Sequence, residues 1–197
     1  MGELLGIAVL ALNKGGVDFL GQVAGEIGAL DARLGQFFTP YEISRMMSEL
    51  SLTDAPALIK ERGFITLDEP AAGAGGMVLA AADVLEDKGF DPERHVWVRA
   101  TELSRSTFHM AYIQITARGI AGVVIHGNSI SQEIFDIAYT AAAPVFVAAN
   151  GHPFAEQIAA RTGAKQAAEK RRNLLAQLTN DHLAEASCSV PQVTHYS

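Results

Sequence analysis

The sequence contains a single cysteine, Cys188, in 197 residues. One thiol cannot build an intrachain disulfide framework, so the fold must rest on its core, and a reducing, cytoplasmic setting suits it. Positive charge is also scarce. Fifteen Lys and Arg stand against 22 Asp and Glu, a formal net charge of −7. A chain that grips nucleic acid alone usually carries a basic surface. Any DNA binding is therefore expected to be weak, confined to a local patch, or dependent on a partner. No long apolar run is present. Residues 4–12 are apolar, but the stretch is shorter than the ~18 residues that span a membrane. It also lacks the basic leader of a signal peptide, so no membrane association is expected. His95, His109, His126, His152, His182 and His195 are scattered without i, i+4 pairing, which predicts no metal site. There is no tandem repeat or low-complexity tract.

What remains is a chain with 49% hydrophobic residues, enough for one domain, or one domain with an appended element, around a sizeable core. Its organising stretch is Thr66-Leu67-Asp68-Glu69-Pro70-Ala71-Ala72-Gly73-Ala74-Gly75-Gly76-Met77. An apolar run ends in acids and a proline. A loop of small residues follows, and then a helical pattern begins. Strand, glycine loop and helix together bring backbone close to a nucleotide-like ligand.

Taken in order, residues 1–30 read as helical, broken at Gly15-Gly16, with Leu20, Val23, Ile27 and Leu30 as one apolar stripe. In Gln36-Phe37-Phe38-Thr39-Pro40-Tyr41-Glu42, Thr39 reads as an N-cap, Pro40 as the first helical residue and Glu42 as the capping-box acid. Ile43, Met46, Met47 and Leu50 then read as that helix's buried face. Residues 64–67 are the first predicted strand. Met77, Ala81, Val84 and Leu85 mark a helix that Gly89 ends. Residues 95–101 form a second strand, with Val96 and Val98 alternating against more polar neighbours, and Glu102 closes it. A helix bearing Phe108, Ala111, Tyr112 and Ile115 follows. Residues 122–125 form a third strand ending at His126-Gly127-Asn128, residues 134–139 a fourth, and residues 145–148 a fifth. This alternation predicts an α/β fold, a mostly parallel sheet with crossover helices. Residues 154–186 read as an Ala-rich helix in which Leu174, Leu175, Leu178 and Leu183 are apolar. Lys165, Lys170, Arg171 and Arg172 on that helix form the chain's densest positive cluster, read as a solvated face in preference to a DNA-backbone contact. The tail beyond Ser187 reads as disordered. The expected divisions are an N-terminal helical segment (1–56), an α/β core (57–153) and a C-terminal helix with its tail (154–197).

Three ligands suit a glycine loop. A phosphate loop needs Gly-Lys-Ser/Thr, but Met77 follows Gly76. A dinucleotide fold wants Gly-x-Gly-x-x-Gly, and the third position is Val78. S-adenosylmethionine has no pyrophosphate and carries a cationic sulfonium and amino group, so an acid at the first strand end, Asp68 or Glu69, is useful. Glu102, at the second strand end, suits ribose hydroxyls.

Gly35-Gln36-Phe37-Phe38-Thr39-Pro40, the Glu69-to-Met77 loop, Thr101-Glu102-Leu103 and His126-Gly127-Asn128-Ser129 together resemble the adenine-N6 DNA methyltransferases. The likeness is closest to the methylation subunit of type I restriction–modification systems and runs over residues 18–139. It implies a Rossmann-like class I methyltransferase domain, S-adenosyl-L-methionine as cofactor, and DNA methylation as the activity. It also implies a cofactor site drawn from Phe37, Phe38, Thr39, Pro40, Glu69, Pro70, Ala71, Gly73, Gly75, Gly76, Glu102, Leu103 and Asn128. The loop would take the methionine end, Glu102 the ribose, and Asn128 the adenine edge. Glu69, Ala72, Ala74 and Asn128 stand where the family has Asp, Cys, Ser and Asp.

The larger departure follows the fourth predicted strand. Where the family reads Phe-Asp-Val-Val-Leu-Thr-Asn-Pro-Pro-Phe, this chain reads Phe135-Asp136-Ile137-Ala138-Tyr139-Thr140-Ala141-Ala142-Ala143-Pro144. In the family, the Asn and a proline carbonyl accept from the target amino group and the aromatic stacks on the flipped base. Alanines offer neither. Downstream, Asn150, Pro153 and Phe154 are the candidates for a displaced motif, which would require a shifted strand. The chain has no room for the type I subunit's large helical domain or for a target-recognition domain, so base readout is expected from elsewhere. Two readings follow: a minimal adenine-N6 DNA methyltransferase, and a catalytically inactive module of the same fold. The second acts on cofactor, DNA or a restriction–modification partner; a homo-oligomeric partner is the other partner expected.

Overall fold

The computed structural model describes residues 2–27 and 38–154. The chain divides into two compact units, Met1–Pro153 and Phe154–Ser197. The predicted C-terminal helix, its basic cluster and the tail lie outside the described residues, as do Leu30, Gln36 and Phe37.

The first unit opens with α1 (Gly2–Lys14) and α2 (Phe19–Glu26), separated at Gly15 and Gly16, both at positive φ. The pairs α3 (Tyr41–Ser51) and α4 (Ala55–Arg62), then β1 (Ile65–Glu69) and α5 (Gly76–Asp87), follow. After the short α6 (Pro92–His95) come β2 (Val96–Glu102), α7 (Arg105–Ala117), β3 (Ala121–Asn128), β4 (Glu133–Tyr139) and α8 (Ala143–Asn150). The sheet order is β1-β2-β3-β4. β1, β2 and β3 run parallel, and β4 returns antiparallel along β3. This is a mostly parallel, Rossmann-like α/β fold.

One face of the sheet carries Val96, Val98, Ala100 and Val124 into the main core, against Val84 and Leu85 of α5, Ile115 of α7 and Ile59 of α4. The other face is covered by α8. Trp97 is buried there, with its ring 5.6 Å from Phe146, which in turn meets Phe64 edge-on at 5.2 Å. Thus β2 is buried on both faces along Val96-Trp97-Val98 and does not alternate with polar neighbours, as expected of a central parallel strand.

Several expectations are corrected. Residues 145–148, predicted as a fifth strand, lie in α8. A short apolar run fits strand or buried helix equally, and Pro144 in the first turn pre-sets helical φ. The sheet is mostly parallel, as expected; the fourth strand is the exception, because residues 129–132 are too few for a crossover, which takes a dozen or more. Helix α3 starts at Tyr41, so Pro40 is the cap residue. Its carbonyl accepts from the Ile43 and Ser44 N–H groups, and no side chain caps the helix. Thr39 is therefore not the N-cap, and Glu42 does not complete a capping box. The faces of α3 are also reversed. Ile43, Met46, Met47 and Leu50 are 44%, 55%, 46% and 73% exposed, while Tyr41, Ser44 and Ser48 are buried. The small serines let α3 lie close on α5, where Ser48 Oγ meets Met77 Sδ at 3.8 Å and Tyr41 donates to Asp83. Likewise Val23 of α2 and its C-cap residue Ile27 are exposed, and Gly21 and Ala24 form the helix's buried face.

A buried polar cluster fastens the N-terminal helices to this core. Asp83 accepts from Tyr41 Oη, from the Gly16 N–H and, at 2.9 Å, from Arg118. Arg118 also reaches Glu86. Burial, and then donation to Asp83, push the Tyr41 hydroxyl well above the ordinary tyrosine range.

Candidate functional site

The carboxyl ends of β1, β2 and β3 lie side by side, because Glu69 pairs with Ala100 and Glu102 with His126. Open parallel sheets bind ligands at this edge. The glycine loop leaves β1 there and is fixed from three directions. The Glu69 carboxylate accepts from the Ala71 N–H at 3.0 Å, the Thr101 carbonyl accepts from the Ala72 N–H at 2.9 Å, and Glu102 Oε2 accepts from the Gly73 N–H at 2.9 Å. The other oxygen of Glu102 accepts from the Ser104 N–H at 2.7 Å and from Thr107 Oγ1 at 3.1 Å. One carboxylate thus ties the loop to the first turn of α7.

Gly73 has φ +56°, and a Cβ there would lie 3.1 Å from Phe38 Cδ1. Phe38 therefore covers the loop at its closest point. Beneath it lies a cavity of about 310 Å³ lined by Phe38, Thr39, Glu69, Ala71, Gly73 and Gly76, with Asp18 from the N-cap of α2. Among the described residues its lining includes two carboxylates and no Lys, Arg or His. Of the two acids at the end of β1, Asp68 is taken by Arg99, whose Nε donates to Oδ1 at 2.9 Å and whose NH2 reaches Oδ2. Glu69 is the one facing the cavity.

The remaining predicted site residues are placed as follows. Pro40 lines an adjoining cavity with Gly21 and Gly25. Pro70 and Gly75 shape the loop without lining the cavity; Gly75 is the N-cap residue of α5. Leu103 stands exposed past the end of β2, its carbonyl 3.1 Å from His126 Nε2. Asn128 ends β3, but its Oδ1 accepts from the Ile130 and Ser131 N–H groups and so holds the β3–β4 turn.

Of the catalytic candidates, Asn150 is not brought to this edge, and neither is the aligned segment 141–144. Because β4 runs antiparallel, it carries the chain away from it. Thr140 packs at the start of β3, exchanging hydrogen bonds with the Gly122 backbone. Six residues separate Gly122 from Asn128, roughly 20 Å at about 3.3 Å per residue. Residues 141–144, aligned with the family's Asn-Pro-Pro-Phe, are thus at the far edge. So is Asn150, which lines a separate cavity of about 530 Å³ with Gly63, Arg94 and His95 and donates to the Phe146 carbonyl. That cavity is larger, but the glycine loop and both carboxylates belong to the smaller one. Pro153 ends the first unit and Phe154 begins the second.

Two residues escape the sequence reading. Gln114 on α7 is wholly buried. Its amide donates to Ala74 O at 2.8 Å and to Asp18 Oδ1 at 2.6 Å, while its carbonyl accepts from the Leu20 N–H at 2.9 Å. It joins α2, α7 and the glycine loop. The signal was a lone amide three residues after Ala111 on the same inward face. Asp18 gave no signal beyond its N-cap chemistry.

No curated protein and no solved structure gives a significant match. The model of the N-6 DNA methylase family matches residues 19–185, most of the chain. The glycine loop, the acid closing β2 and the Phe38-Thr39 lid fall within that match, and the chain belongs to the N-6 DNA methylase family.

Proposed function

We propose that the protein binds S-adenosyl-L-methionine at the glycine-loop edge and serves adenine-N6 methylation of DNA, in the manner of the type I methylation subunit. The cavity under Phe38 carries this reading. Its lining has Glu69 and Asp18 and, among the described residues, no cation. Such a site repels phosphates and suits a ligand whose methionine end holds an ammonium and a sulfonium group. Phe38, Thr39, Glu69, Ala71, Gly73 and Gly76 would hold that end, and Phe37, Pro40, Pro70 and Gly75 would support them. Glu102 takes the ribose. Oε1 already serves two donors and Oε2 one, so Oε2 has an acceptor position left for one hydroxyl. Leu103 and Asn128 would face the adenine. The bound cofactor supplies an electrophilic methyl group; the chain's own residues orient it and exclude water.

A specific observation favours the second reading, a cofactor-binding module without turnover. Residues 141–144 are alanines and a proline, at the far sheet edge from the cavity. In that reading DNA, a restriction–modification subunit or a second copy of the chain is the partner, and the chain's net charge of −7 favours DNA contact through the partner. The proposed divisions are a helical segment (1–56), an α/β core (57–153) and a C-terminal element (154–197). Labelled-methyl transfer to unmethylated DNA, run on protein shown to bind the cofactor, separates the readings. Transfer to adenine supports the enzyme. Binding without transfer supports the module, and absence of binding sinks both.

A further inference from the structure

The geometry points to Asp18 as a cofactor-binding residue, one that holds the α-ammonium group at the methionine end of the ligand. The inference rests on the proposed cofactor reading of the glycine-loop cavity. Asp18 is only 5% exposed, yet it forms part of that cavity's wall. Its Oδ1 is committed to the protein, accepting from the Gly21 N–H at 2.9 Å and from Gln114 at 2.6 Å. Its Oδ2 lies between Gly21 and Gly76, 2.1 Å from where a Cβ on the first would stand and 2.7 Å from where one on the second would. A side chain at residue 76 would therefore collide with this oxygen. Gly76, the first residue of α5, leaves it an open approach to the cavity.

The charge balance requires an explanation. A carboxylate this buried is costly unless a partner offsets it. Gln114 is neutral, and no Lys, Arg or His lines the cavity among the described residues. The backbone N–H groups at the starts of α2 and α5 offset part of the charge. An ammonium in the cavity, between Asp18 and Glu69, offsets the rest. Gln114 is the positioning residue. By donating at once to Asp18 and to the Ala74 carbonyl, it sets the carboxylate at a fixed place relative to the loop. The arrangement brings α2, remote in sequence, into the ligand's first contacts.

Asp18→Asn tests this. Asparagine keeps one acceptor oxygen for Gly21 and Gln114 and replaces the charged Oδ2 acceptor with an uncharged amide donor. Binding is measured by calorimetry for three ligands: S-adenosylmethionine, S-adenosylhomocysteine, which keeps the ammonium but not the sulfonium, and 5′-methylthioadenosine, which has neither. The expected result is a loss of about tenfold or more for the first two and no change for the third. Asp18→Ser, which keeps an N-cap oxygen, gives the same pattern and stands in if the asparagine variant does not fold. Equal weakening of all three ligands overturns the assignment, since that marks a purely structural role. Weakening of S-adenosylmethionine alone overturns it too, by placing the carboxylate at the sulfonium. Tight wild-type binding that Asp18→Asn leaves unchanged overturns this inference only. Failure of the wild type to bind any of the three overturns the cofactor reading and this inference with it.

Discussion

Replacing Glu102 with alanine removes one acceptor that serves three donors. The Gly73 N–H, the Ser104 N–H and the Thr107 hydroxyl lie 2.9, 2.7 and 3.1 Å from its two oxygens. A buried hydrogen bond to a charged group contributes about 1.5–3 kcal/mol. Glu102, Gly73 and Ser104 are half-buried, so water recovers part of this. Thr107 also has the Ser104 carbonyl at 3.2 Å as a second acceptor. The expected loss is therefore about 2–4 kcal/mol rather than the full sum. For a chain of this size it appears as a fall in melting temperature of roughly 5–15 °C. Freed from its anchor, the glycine loop also loses cofactor affinity. Glu102→Gln keeps one acceptor oxygen but turns an amide toward either Gly73 or Ser104, and it falls between the two. Differential scanning calorimetry and cofactor titration on the three proteins measure both effects. If Glu102→Ala melts within about 2 °C of wild type and binds the cofactor equally well, the carboxylate does not tie the loop to α7 and the reasoning is wrong.

Gly122→Ala places a Cβ 2.2 Å from the Val98 carbonyl oxygen, a backbone atom of the adjacent strand that cannot rotate away. A loss of about 3 kcal/mol or more, or failure to fold, is expected in denaturant titrations. Tyr41 has its folded-state pKa raised above the ordinary value of about 10, so the stability it confers is complete below that pH and is lost as pH rises beyond it. Melts between pH 8 and 12 should show this decline in the wild type and a shallower one in Tyr41→Phe. Asn150→Ala should leave any methyl transfer unchanged in a labelled-methyl assay, because Asn150 lies at the far edge of the sheet; a large drop would show that the displaced motif acts after all.

The β1–loop–α5–β2 unit was legible because each of its signals is local. A short apolar run, acids, glycines and a periodic helix follow one another, and Glu102 falls where the next strand ends. What failed depended on partners distant in sequence. The spacing of Ile43, Met46, Met47 and Leu50 correctly places them on one face of α3. It does not reveal that α5 covers the opposite face, where Ser44 and Ser48 permit close approach and Asp83 awaits the Tyr41 hydroxyl. The fifth strand failed for a similar reason. Residues 145–148 are apolar enough for either structure, and the choice is made by Trp97, which needs a cover that Phe146 on a helix provides. The reversal of β4 is legible in its connection, since residues 129–132 cannot span a parallel crossover. That reversal carries the segment aligned with the family's catalytic motif away from the glycine-loop edge. Gln114 and Asp18 were invisible as a pair because 96 residues separate them, and only the packing of α2 on α7 joins them at 2.6 Å.

Under the proposed function, the cavity beneath Phe38 takes a cationic methionine-bearing ligand rather than a phosphate. The decisive experiment is calorimetric titration of the full chain with S-adenosylmethionine and, in parallel, with ATP. Saturable one-site binding of the first, with ATP weaker by at least about tenfold, is the predicted result, because two carboxylates and no described base line the site. Equal or tighter binding of ATP, or no binding of S-adenosylmethionine, would contradict it.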